Sequence, residues 1–326
     1  MEFHVVVNPV GASGRTLKKF KPLLPLMESS GHEIKVHYST KETGIGGVCH
    51  ELTKDLSEED VLYLIIVGGD GSLNDALNGM EHLDRIRLGY LPAGSGNDLA
   101  KGLGLGDDLE ALTKQILKGE VKRRMDLGEV RLYHTSEELV EKERLGRYED
   151  GGILLRRFHD STGMGFDAAI CQAADASRFK KVLNRMHLGK LIYLLCATRL
   201  IFTTRRPTVE VTVDGKTTTY DDCLLFVAMN NCYEGGGFRF CPDAQNNDGQ
   251  IDLCIATPRS NAAFFRIFPS GYKGKHVRFP VIHMDRGSEV SVKSSTPQWI
   301  HTDGEVTCKS DEISIRMLKE QLSLLM

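Results

Sequence analysis

The stretch from Leu64 to Met80, LIIVGGDGSLNDALNGM, limits the possible folds of this chain most strongly. Four aliphatic residues lead directly into Gly-Gly-Asp-Gly-Ser, and a helical pattern follows. Glycine loses more conformational freedom on folding than any other residue, so three glycines after a buried strand indicate that bare backbone is needed close to another group. The pattern therefore predicts a strand, a tight turn and a helix in direct succession.

The residues before Asp126 alternate short apolar segments with helical patterns. The predicted strands are Phe3–Val7, Ile34–Tyr38, Val61–Val67 and Ile86–Leu91, and the predicted helices lie at Thr16–Ser29, Gly46–Leu56, Leu73–Met80 and Asn97–Leu103. Strands that are apolar throughout and separated by helices form parallel sheets covered on both faces. This half of the chain therefore predicts a Rossmann-like α/β domain.

The pattern changes after Asp126. TVEVTVDGKTTTY predicts a β-hairpin that turns at Asp214-Gly215, and LLFVAM, QIDLCIA, EVSVK and EISIRML predict further strands without helices between them. We expect an α/β domain at residues 1–127 and a mostly antiparallel β-sandwich domain at residues 128–316, with the tail 317–326 packing on the first domain. The charged insertion from Thr135 to Asp150 is expected to be a solvated loop or a short exposed helix.

Composition excludes several classes of protein. The net charge of −3 over 326 residues gives no overall attraction to nucleic acid. The eight cysteines form no CxxC pair and lie mostly in apolar segments, so we expect reduced thiols and no zinc site. The longest uninterrupted apolar segment, Leu191 to Ala197, has seven residues, whereas a membrane-spanning helix needs about 20. Because EFHVVVNPV opens as a core strand and not as a signal peptide, a cytoplasmic location is expected.

Glycine-rich turns follow three of the four predicted strands: NPVGASGR, GGDGS and LPAGSGNDLA. Ligands of open α/β sheets bind beyond the carboxyl ends of the strands, where backbone N–H groups can hold anions. Three such turns at one edge predict a polyphosphate cradle, in which Ser72 and Ser95 offer hydroxyls and Asn97 is a helix cap or a ligand. Asp70 would repel phosphate unless Mg²⁺ lies between them, and the alternative is a carboxylate that stabilises its own turn.

Several longer motifs are specific to one family. GGDGS-x-N-x-A-x-NG precedes LPAGSGNDLAKGLG, and the second half contains STGMGFDAAI, NNCYEGGGFRFCPDAQNNDGQIDL and TDGE. Together they resemble the diacylglycerol kinase catalytic-domain family, particularly its soluble bacterial lipid kinases, over nearly the whole chain. That family shares its fold more distantly with phosphofructokinase and NAD kinase. The chain departs from the family pattern at Asp75, where Glu is commoner, and in the insertion 135–150, whose role in a lid or in substrate choice stays open.

The resemblance implies ATP-dependent, magnesium-dependent phosphorylation of the hydroxyl of diacylglycerol or a related lipid, which would give phosphatidic acid or its analogue. It assigns the nucleotide to the first domain, on the glycine-rich turns and after the second strand, and the lipid substrate to the second domain. The residues implied are Asn8, Ser13, Gly14, Thr40, Gly68, Gly69, Asp70, Gly71, Ser72, Ser95 and Asn97.

Four carboxylates are implied in the chemistry, because phosphoryl transfer depends on charge neutralisation and on an aligned acceptor. By resemblance, Asp70 and Asp126 would organise Mg²⁺ and its waters. Glu305 would take the proton from the acceptor hydroxyl, with Asp303 supporting it or the metal. Asp70 as the base is an alternative, and Asp303-Gly304-Glu305 by itself also fits a tight hairpin turn.

The family further implies a second, structural Mg²⁺ at QNNDGQID. Asp248 would hold it together with the carbonyl oxygens of Gln245 and Gln250. An Asp-Gly pair without the resemblance predicts only a turn.

Two segments without acidic residues suggest where a lipid would bind. Arg178–Arg206 carries eight Lys/Arg and Arg259–Pro280 carries five, and both contain apolar residues that are clustered or at helical spacing. They predict peripheral, transient contact with an anionic membrane surface, the alternative being apolar stripes that face the core. No nucleic-acid recognition motif accompanies them. A homodimer paired through an exposed strand edge is compatible with the sequence, which does not locate such an edge.

Other functions stay open at this point. A kinase for another lipid alcohol, such as a sphingoid base, ceramide or phosphatidylglycerol, would use the same motifs. NAD kinase would not need PAGSGND or the basic segments. A non-catalytic nucleotide or lipid sensor is the alternative outside the enzymes, and the presence of all four carboxylates disfavours it.

Overall fold

The computed structural model of the chain describes residues 1–133, 147–149, 152–177 and 189–326. Most of the charged insertion 135–150 and residues 178–188 of the first basic segment lie outside the described residues. The chain divides into two compact units, the first formed by residues 1–127 with 319–326 and the second by residues 128–318.

The first unit contains a parallel sheet of four strands in the order β2-β1-β3-β4. Leu64, Ile65, Ile66 and Val67 are all buried, as expected for a strand covered on both faces. The predicted parallel α/β domain is therefore confirmed. The strands are β1 (Glu2–Val7), β2 (Glu33–Tyr38), β3 (Leu62–Gly68) and β4 (Ile86–Pro92), and residues 323–325 add a further parallel strand beside β4.

The helices of the first unit are α1 (Gly11–Phe20), α2 (Leu24–Glu28), α3 (Gly44–Thr53), α4 (Asp70–Gly79), α5 (Asp98–Gly102) and α6 (Leu109–Ile116). The single helix predicted at Thr16–Ser29 is wrong, because a 3₁₀ turn at Lys21–Leu23 separates α1 from α2. Pro22 and Pro25 lack the N–H groups that a continuous helix needs. Helix α6 was not among the predicted helices, and Asp108 caps it by accepting the N–H groups of Glu110 and Ala111.

The second unit is built mainly on antiparallel strands, which confirms the predicted β-sandwich-like domain. Strands β8, β11, β12, β13, β14 and β15 pair antiparallel in the order β13-β12-β11-β8-β14-β15. The strands are β5 (Val121–Tyr133), β6 (Arg147–Glu149), β7 (Ile153–Phe158), β8 (Ser161–Gly165), β9 (Val209–Val213), β10 (Lys216–Tyr220), β11 (Leu225–Met229), β12 (Ile251–Ala256), β13 (Ile282–Gly287), β14 (Glu289–Thr302) and β15 (Glu305–Leu325). The first residues of β5 and the last of β15 belong to the first unit.

The hairpin predicted at Asp214-Gly215 joins β9 to β10, and both turn residues have positive φ as a type I′ turn requires. Helices α7 (Phe166–Ala176) and α8 (Gly189–Leu200) lie between β8 and β9, before the hairpin. The absence of helices that we predicted between the strands after the hairpin is wrong, because α9 (Asn261–Gly271) lies between β12 and β13. Within the described part of the chain, no helix is long and apolar enough to span a membrane.

Candidate active site

The three glycine-rich turns leave the same edge of the sheet in the first unit. Strands β1, β3 and β4 are adjacent and parallel, and the register pairs Val7 with Val67 and Gly68 with Pro92. The three strands therefore end at similar positions, and the turns after them are neighbours. The predicted nucleotide residues that this edge brings together are Asn8, Ser13, Gly14, Gly68, Gly69, Asp70, Gly71, Ser72, Ser95 and Asn97.

The turns after β3 and β4 are in direct backbone contact. Gly69 has φ −102° and ψ −172°, a conformation open to any residue, so backbone conformation does not require a glycine there. A Cβ atom at Gly69 would lie 2.9 Å from Cα of Gly94, and one at Gly96 would lie 2.7 Å from Oδ2 of Asp70. The bare backbone at the end of β3 is therefore needed for the close approach of the two turns.

The carboxylate of Asp70 binds the neighbouring turn. Asp70 is the first residue of α4. Its Oδ1 accepts the backbone N–H of Asp98, 28 residues further along the chain, at 2.9 Å. Asn97 precedes α5 without capping it, and its side-chain amide donates to the carbonyl oxygens of Pro92 and Gly94 at 3.4 Å. Its Oδ1 is buried and has no hydrogen-bond partner among the described residues. Carboxylate and amide oxygens are the ligands that Mg²⁺ prefers, so this donor set fits the ion.

The first turn carries backbone strain. Ala12, Ser13 and Gly14 have φ values of +47°, +61° and +83°, and the regular part of α1 begins after them. Left-handed conformations of residues other than glycine cost about 1–3 kcal/mol each and are concentrated at functional sites and ligand clamps. Asn8 stabilises the entry to the turn, since its Oδ1 accepts the N–H of Val10 at 3.2 Å. Ser13 is exposed.

Thr40 and Asp126, the other predicted site residues of this unit, each accept backbone hydrogen bonds that stabilise the fold. The exposed Thr40 follows β2, and its Oγ1 accepts the N–H groups of Glu42 and Thr43 at 3.2 Å. Asp126 is buried, and its Oδ1 accepts the backbone N–H of Glu320 at 2.7 Å. Glu320 itself has a φ of +51°. Roles for Thr40 in nucleotide binding and for Asp126 in metal binding stay predictions.

In the second unit, Asp303 and Gly304 form the two-residue turn between β14 and β15. Their φ values of +52° and +79° are those of a type I′ turn, so the predicted tight hairpin is present. The side chain of Asp303 is fully buried and accepts the backbone N–H groups of residues 159, 160 and 161 at 2.8–3.0 Å. Glu305 follows the turn and is exposed, as a base that meets a substrate must be.

The sequence analysis missed a buried ionic cluster beside this turn. Nε2 of His301 lies 2.9 Å from Oδ2 of Asp167 and 3.3 Å from Oε1 of Glu234, while Nδ1 accepts the backbone N–H of Gly304 at 3.1 Å. Oδ1 of Asp167 and Oε2 of Glu234 are buried without a hydrogen-bond partner in the described part of the chain. The two carboxylates occur in motifs that the sequence analysis quoted, but Asp167 and His301 are 134 residues apart, so only folding reveals their contact.

The charges of this cluster perturb its pKa values. Burial raises the pKa of Glu234 to about 7. The attraction of His301 opposes this rise, and the negative charge of the nearby Asp167 adds to it. Burial alone would lower the pKa of His301, but Glu234 and Asp167 outweigh it and raise the pKa. The Gly304 N–H opposes protonation at Nδ1, since a protonated Nδ1 has no lone pair to accept it. With Nδ1 as the acceptor of the Gly304 N–H, the hydrogen bonds of the neutral ring are those of the Nε2–H tautomer.

The predicted second magnesium site has other partners. Asp248 accepts the N–H of Gln250 at 3.0 Å within its own turn, and its other oxygen pairs with the guanidinium of Arg286. Gln245 lies in an exposed part of the loop before β12. Since Arg286 already supplies positive charge to the carboxylate, these residues do not fit a resident cation in this arrangement, and a second Mg²⁺ stays an untested prediction.

The two basic segments present both buried and exposed apolar residues. On α9, Phe264 and Ile267 are buried, and the ring of Phe264 contacts Phe166 with centroids 5.2 Å apart. Phe265 on the same helix is exposed and lies 6.3 Å from the exposed ring of Phe202. Part of the apolar face of α9 therefore packs into the core, which was the alternative to membrane contact for this segment.

Comparison with known proteins gives two family matches. The model described as "Diacylglycerol kinase catalytic domain" matches residues 2–130, and the one described as "YegS C-terminal NAD kinase beta sandwich-like domain" matches residues 160–325, half of the chain. The chain belongs to the diacylglycerol kinase catalytic-domain family. Relatives named diacylglycerol kinase support a family of lipid kinases. The glycine-rich turns and the carboxylates described above lie within the matched regions.

Relatives of this kinase family match over most of their length. A diacylglycerol kinase of Bacillus subtilis is 28% identical over 309 residues, covering 92% of this chain and 88% of its own. A diacylglycerol kinase of Mycobacterium tuberculosis is 26% identical over 306 residues, covering 93% and 88%. A crystal structure titled as a diacylglycerol kinase from Bacillus anthracis superposes with a TM-score of 0.66 over 99% of this chain and 96% of that one, at 17% identity. At that identity the superposition shows the fold alone.

Proposed function

We propose that this protein is a lipid kinase that transfers the γ-phosphoryl group of ATP to the hydroxyl of diacylglycerol or a related lipid. The observation that carries the proposal is the sheet edge of the first unit, where the glycine-rich turns after β1, β3 and β4 are neighbours and the carboxylate of Asp70 accepts the backbone N–H of Asp98. Backbone N–H groups at such an edge can hold phosphates, and a carboxylate among them is favourable when a cation neutralises it.

Asp70 and the orphaned Oδ1 of Asn97 would hold Mg²⁺ in this proposal. The ion, when bound, would supply positive charge that neutralises the charge developing on the phosphate during transfer. The chain itself would supply positioning: the contact between Asp70 and the N–H of Asp98 holds the turns after β3 and β4 together. Asp126 would act on the metal through its waters, as the family resemblance implies.

Glu305 would accept the proton of the lipid hydroxyl. It is exposed, and it directly follows a turn whose Asp303 is fixed by three backbone hydrogen bonds. A base must reach the proton it takes, and a rigid hairpin limits the positions of its carboxylate. Asp303, with its side chain buried, would support Glu305 by shaping this turn.

The test compares the Glu305→Gln variant with the wild-type protein in an ATP- and Mg²⁺-dependent transfer assay. We expect loss of turnover with nearly unchanged ATP binding, because the amide cannot accept the proton and lies outside the nucleotide-binding turns. Asp70→Asn should instead weaken Mg²⁺-dependent ATP binding. Wild-type rates in Glu305→Gln would leave Asp70 as the candidate base.

The acceptor is identified by a lipid panel. Diacylglycerol, a sphingoid base, ceramide, phosphatidylglycerol and NAD are offered to the wild-type protein with labelled ATP. We expect diacylglycerol to be phosphorylated best. Transfer to another lipid alcohol would revise the substrate, whereas ATP binding without transfer to any acceptor would indicate a sensor.

The lipid substrate further suggests contact with a membrane. The exposed rings of Phe202 and Phe265 are neighbours, and they and the exposed Leu195 lie in segments rich in Lys and Arg. Each basic residue near anionic headgroups contributes about 1 kcal/mol. Co-sedimentation with anionic and neutral vesicles tests this. We expect binding to anionic vesicles that Phe202→Ser weakens, and equally negligible binding to both kinds of vesicle would contradict it.

A further inference from the structure

The buried cluster of His301, Asp167 and Glu234 touches the turn that precedes Glu305. His301 is the penultimate residue of β14, and its ring lies between two carboxylates on one side and the N–H of Gly304 on the other. The side chain of His301 is fully buried, so a ligand cannot reach its ring directly. Its contacts are instead with α7, with the glycine-rich loop at Glu234 and with the hairpin turn.

The packing around the cluster permits little movement. A Cβ atom at Gly163 would overlap both the carboxylate of Asp167 and the ring of His301, so glycine is the residue that fits at this position of β8. Thr162 adds a further restraint, since its Oγ1 donates to the carbonyl oxygen of His301 at 2.7 Å. The imidazole is therefore fixed both by its side-chain partners and by its own strand.

We infer that His301 is a positioning residue, whose Nδ1 holds the Gly304 N–H and thereby sets the direction in which Glu305 leaves the turn. Asp167, with Glu234 beside it, orients the ring by accepting the Nε2 proton, so that the lone pair of Nδ1 faces the turn. A histidine oriented by a carboxylate in this way keeps one tautomer and one ring orientation. The inference rests on the proposed function, because it assigns His301 to the placement of the proposed base.

His301 makes two hydrogen bonds in this role, one with the Gly304 N–H and one with Asp167. Two substitutions of His301 each remove one of them. In His301→Asn, the amide oxygen is attached to Cγ as Nδ1 is, so it can still accept the Gly304 N–H, while the contact with Asp167 is lost. In His301→Gln, the amide nitrogen is as far from Cγ as Nε2 is, so it can still donate to Asp167, while the acceptor for Gly304 is lost. Both variants remove the imidazole, and each serves as the control for the other.

Lipid phosphorylation is measured for both variants. We expect His301→Asn to keep kcat within about threefold of the wild type, and His301→Gln to lose about 10- to 100-fold in kcat, because small misplacements of a reacting group cost rate on this scale. The KM for ATP should be unchanged in both, since the nucleotide-binding turns lie in the first unit. Equal losses in the two variants, or wild-type kcat in His301→Gln, would overturn the inference.

A second readout does not depend on activity. Amide hydrogen exchange at Gly304 should be slow in the wild type and in His301→Asn, and faster in His301→Gln. If the wild type shows no turnover with any lipid, the proposed function fails, and the exchange rates still decide whether His301 holds the turn. Equal protection of Gly304 in all three proteins would refute that.

A second pair of variants covers the case in which the substitutions of His301 do not fold. Asp167→Asn keeps an acceptor for the Nε2 proton, whereas Asp167→Ala removes it. We expect kcat and Gly304 protection near the wild type for Asp167→Asn, and a loss in both for Asp167→Ala. The same values in the two Asp167 variants would contradict the role of the carboxylate in orienting the ring.

Discussion

A methyl group at Gly69 is the sharpest test of why β3 ends in glycine. The new Cβ atom would lie 2.9 Å from Cα of Gly94, whereas carbon atoms at their optimal separation are about 3.5–4.0 Å apart. The two turns would have to separate by about 0.6 Å or more, since both contacting atoms belong to the backbone. Gly69 has an ordinary φ of −102°, so Gly69→Ala introduces this overlap without left-handed strain.

We expect Gly69→Ala to lower the free energy of unfolding by about 3 kcal/mol, the upper end of the range for overpacking, because neither backbone can yield as a side chain would. For a chain of this size that corresponds to a fall in Tm of about 4 °C. Denaturant unfolding and thermal scans measure the two quantities. Gly106→Ala is the matched control, since a Cβ atom there meets nothing within 4 Å and the residue lies in the same unit. The control should be neutral or slightly stabilising.

Binding of ATP to the same variants separates packing from ligand contact. If the turns after β3 and β4 form the phosphate cradle, their displacement in Gly69→Ala should weaken ATP binding by about tenfold or more, while Gly106→Ala binds normally. A destabilised Gly69→Ala with wild-type ATP affinity would mean that these glycines serve packing alone. Wild-type stability in Gly69→Ala would refute the reasoning from close approach.

Two further predictions concern single carboxylates. Oδ2 of Asp75 accepts the N–H groups of Ile45 and Gly46 at the start of α3. Asp75→Ala should therefore destabilise the protein by about 2 kcal/mol in denaturant unfolding. Asp75→Asn, which keeps one oxygen acceptor, should cost less. The pKa of Glu234 rises from 4.5 to about 7 on folding. The free energy of unfolding should therefore fall as the pH rises between those two values, by up to about 3 kcal/mol. Glu234→Gln should remove this loss, and unfolding curves of the two proteins that stay parallel from pH 4.5 to 8 would contradict the assignment.

The parallel sheet could be predicted from residues close together in the chain. Apolar, β-branched segments such as Leu64–Val67 cannot face water on either side, so helices must cover both faces, and a parallel sheet with its turns at one edge follows. The Asp214-Gly215 hairpin was likewise determined locally, because both turn residues must adopt positive φ. Prolines 22 and 25 also carried a local signal, which the helical spacing of the apolar residues around them obscured.

Long-range contacts could not be predicted in this way. Asp75 lies within α4, but its carboxylate caps α3, which begins some 30 residues earlier in the chain. The helices α7 and α9 interrupt the antiparallel strands, because their apolar faces, including Phe166 and Phe264, bury against each other.

The sequence by itself determined the two kinds of domain, the turns at the sheet edge and the family motifs, since each depends on the periodicity and conformational preferences of adjacent residues. Only the tertiary structure decided which groups meet: Gly69 with Gly94, Asp303 with the backbone at residues 159–161, and His301 with Asp167. A hydrogen bond or a steric contact depends on distances of a few ångströms, and for residues more than 100 positions apart in the chain those distances are fixed by the packing of the whole unit.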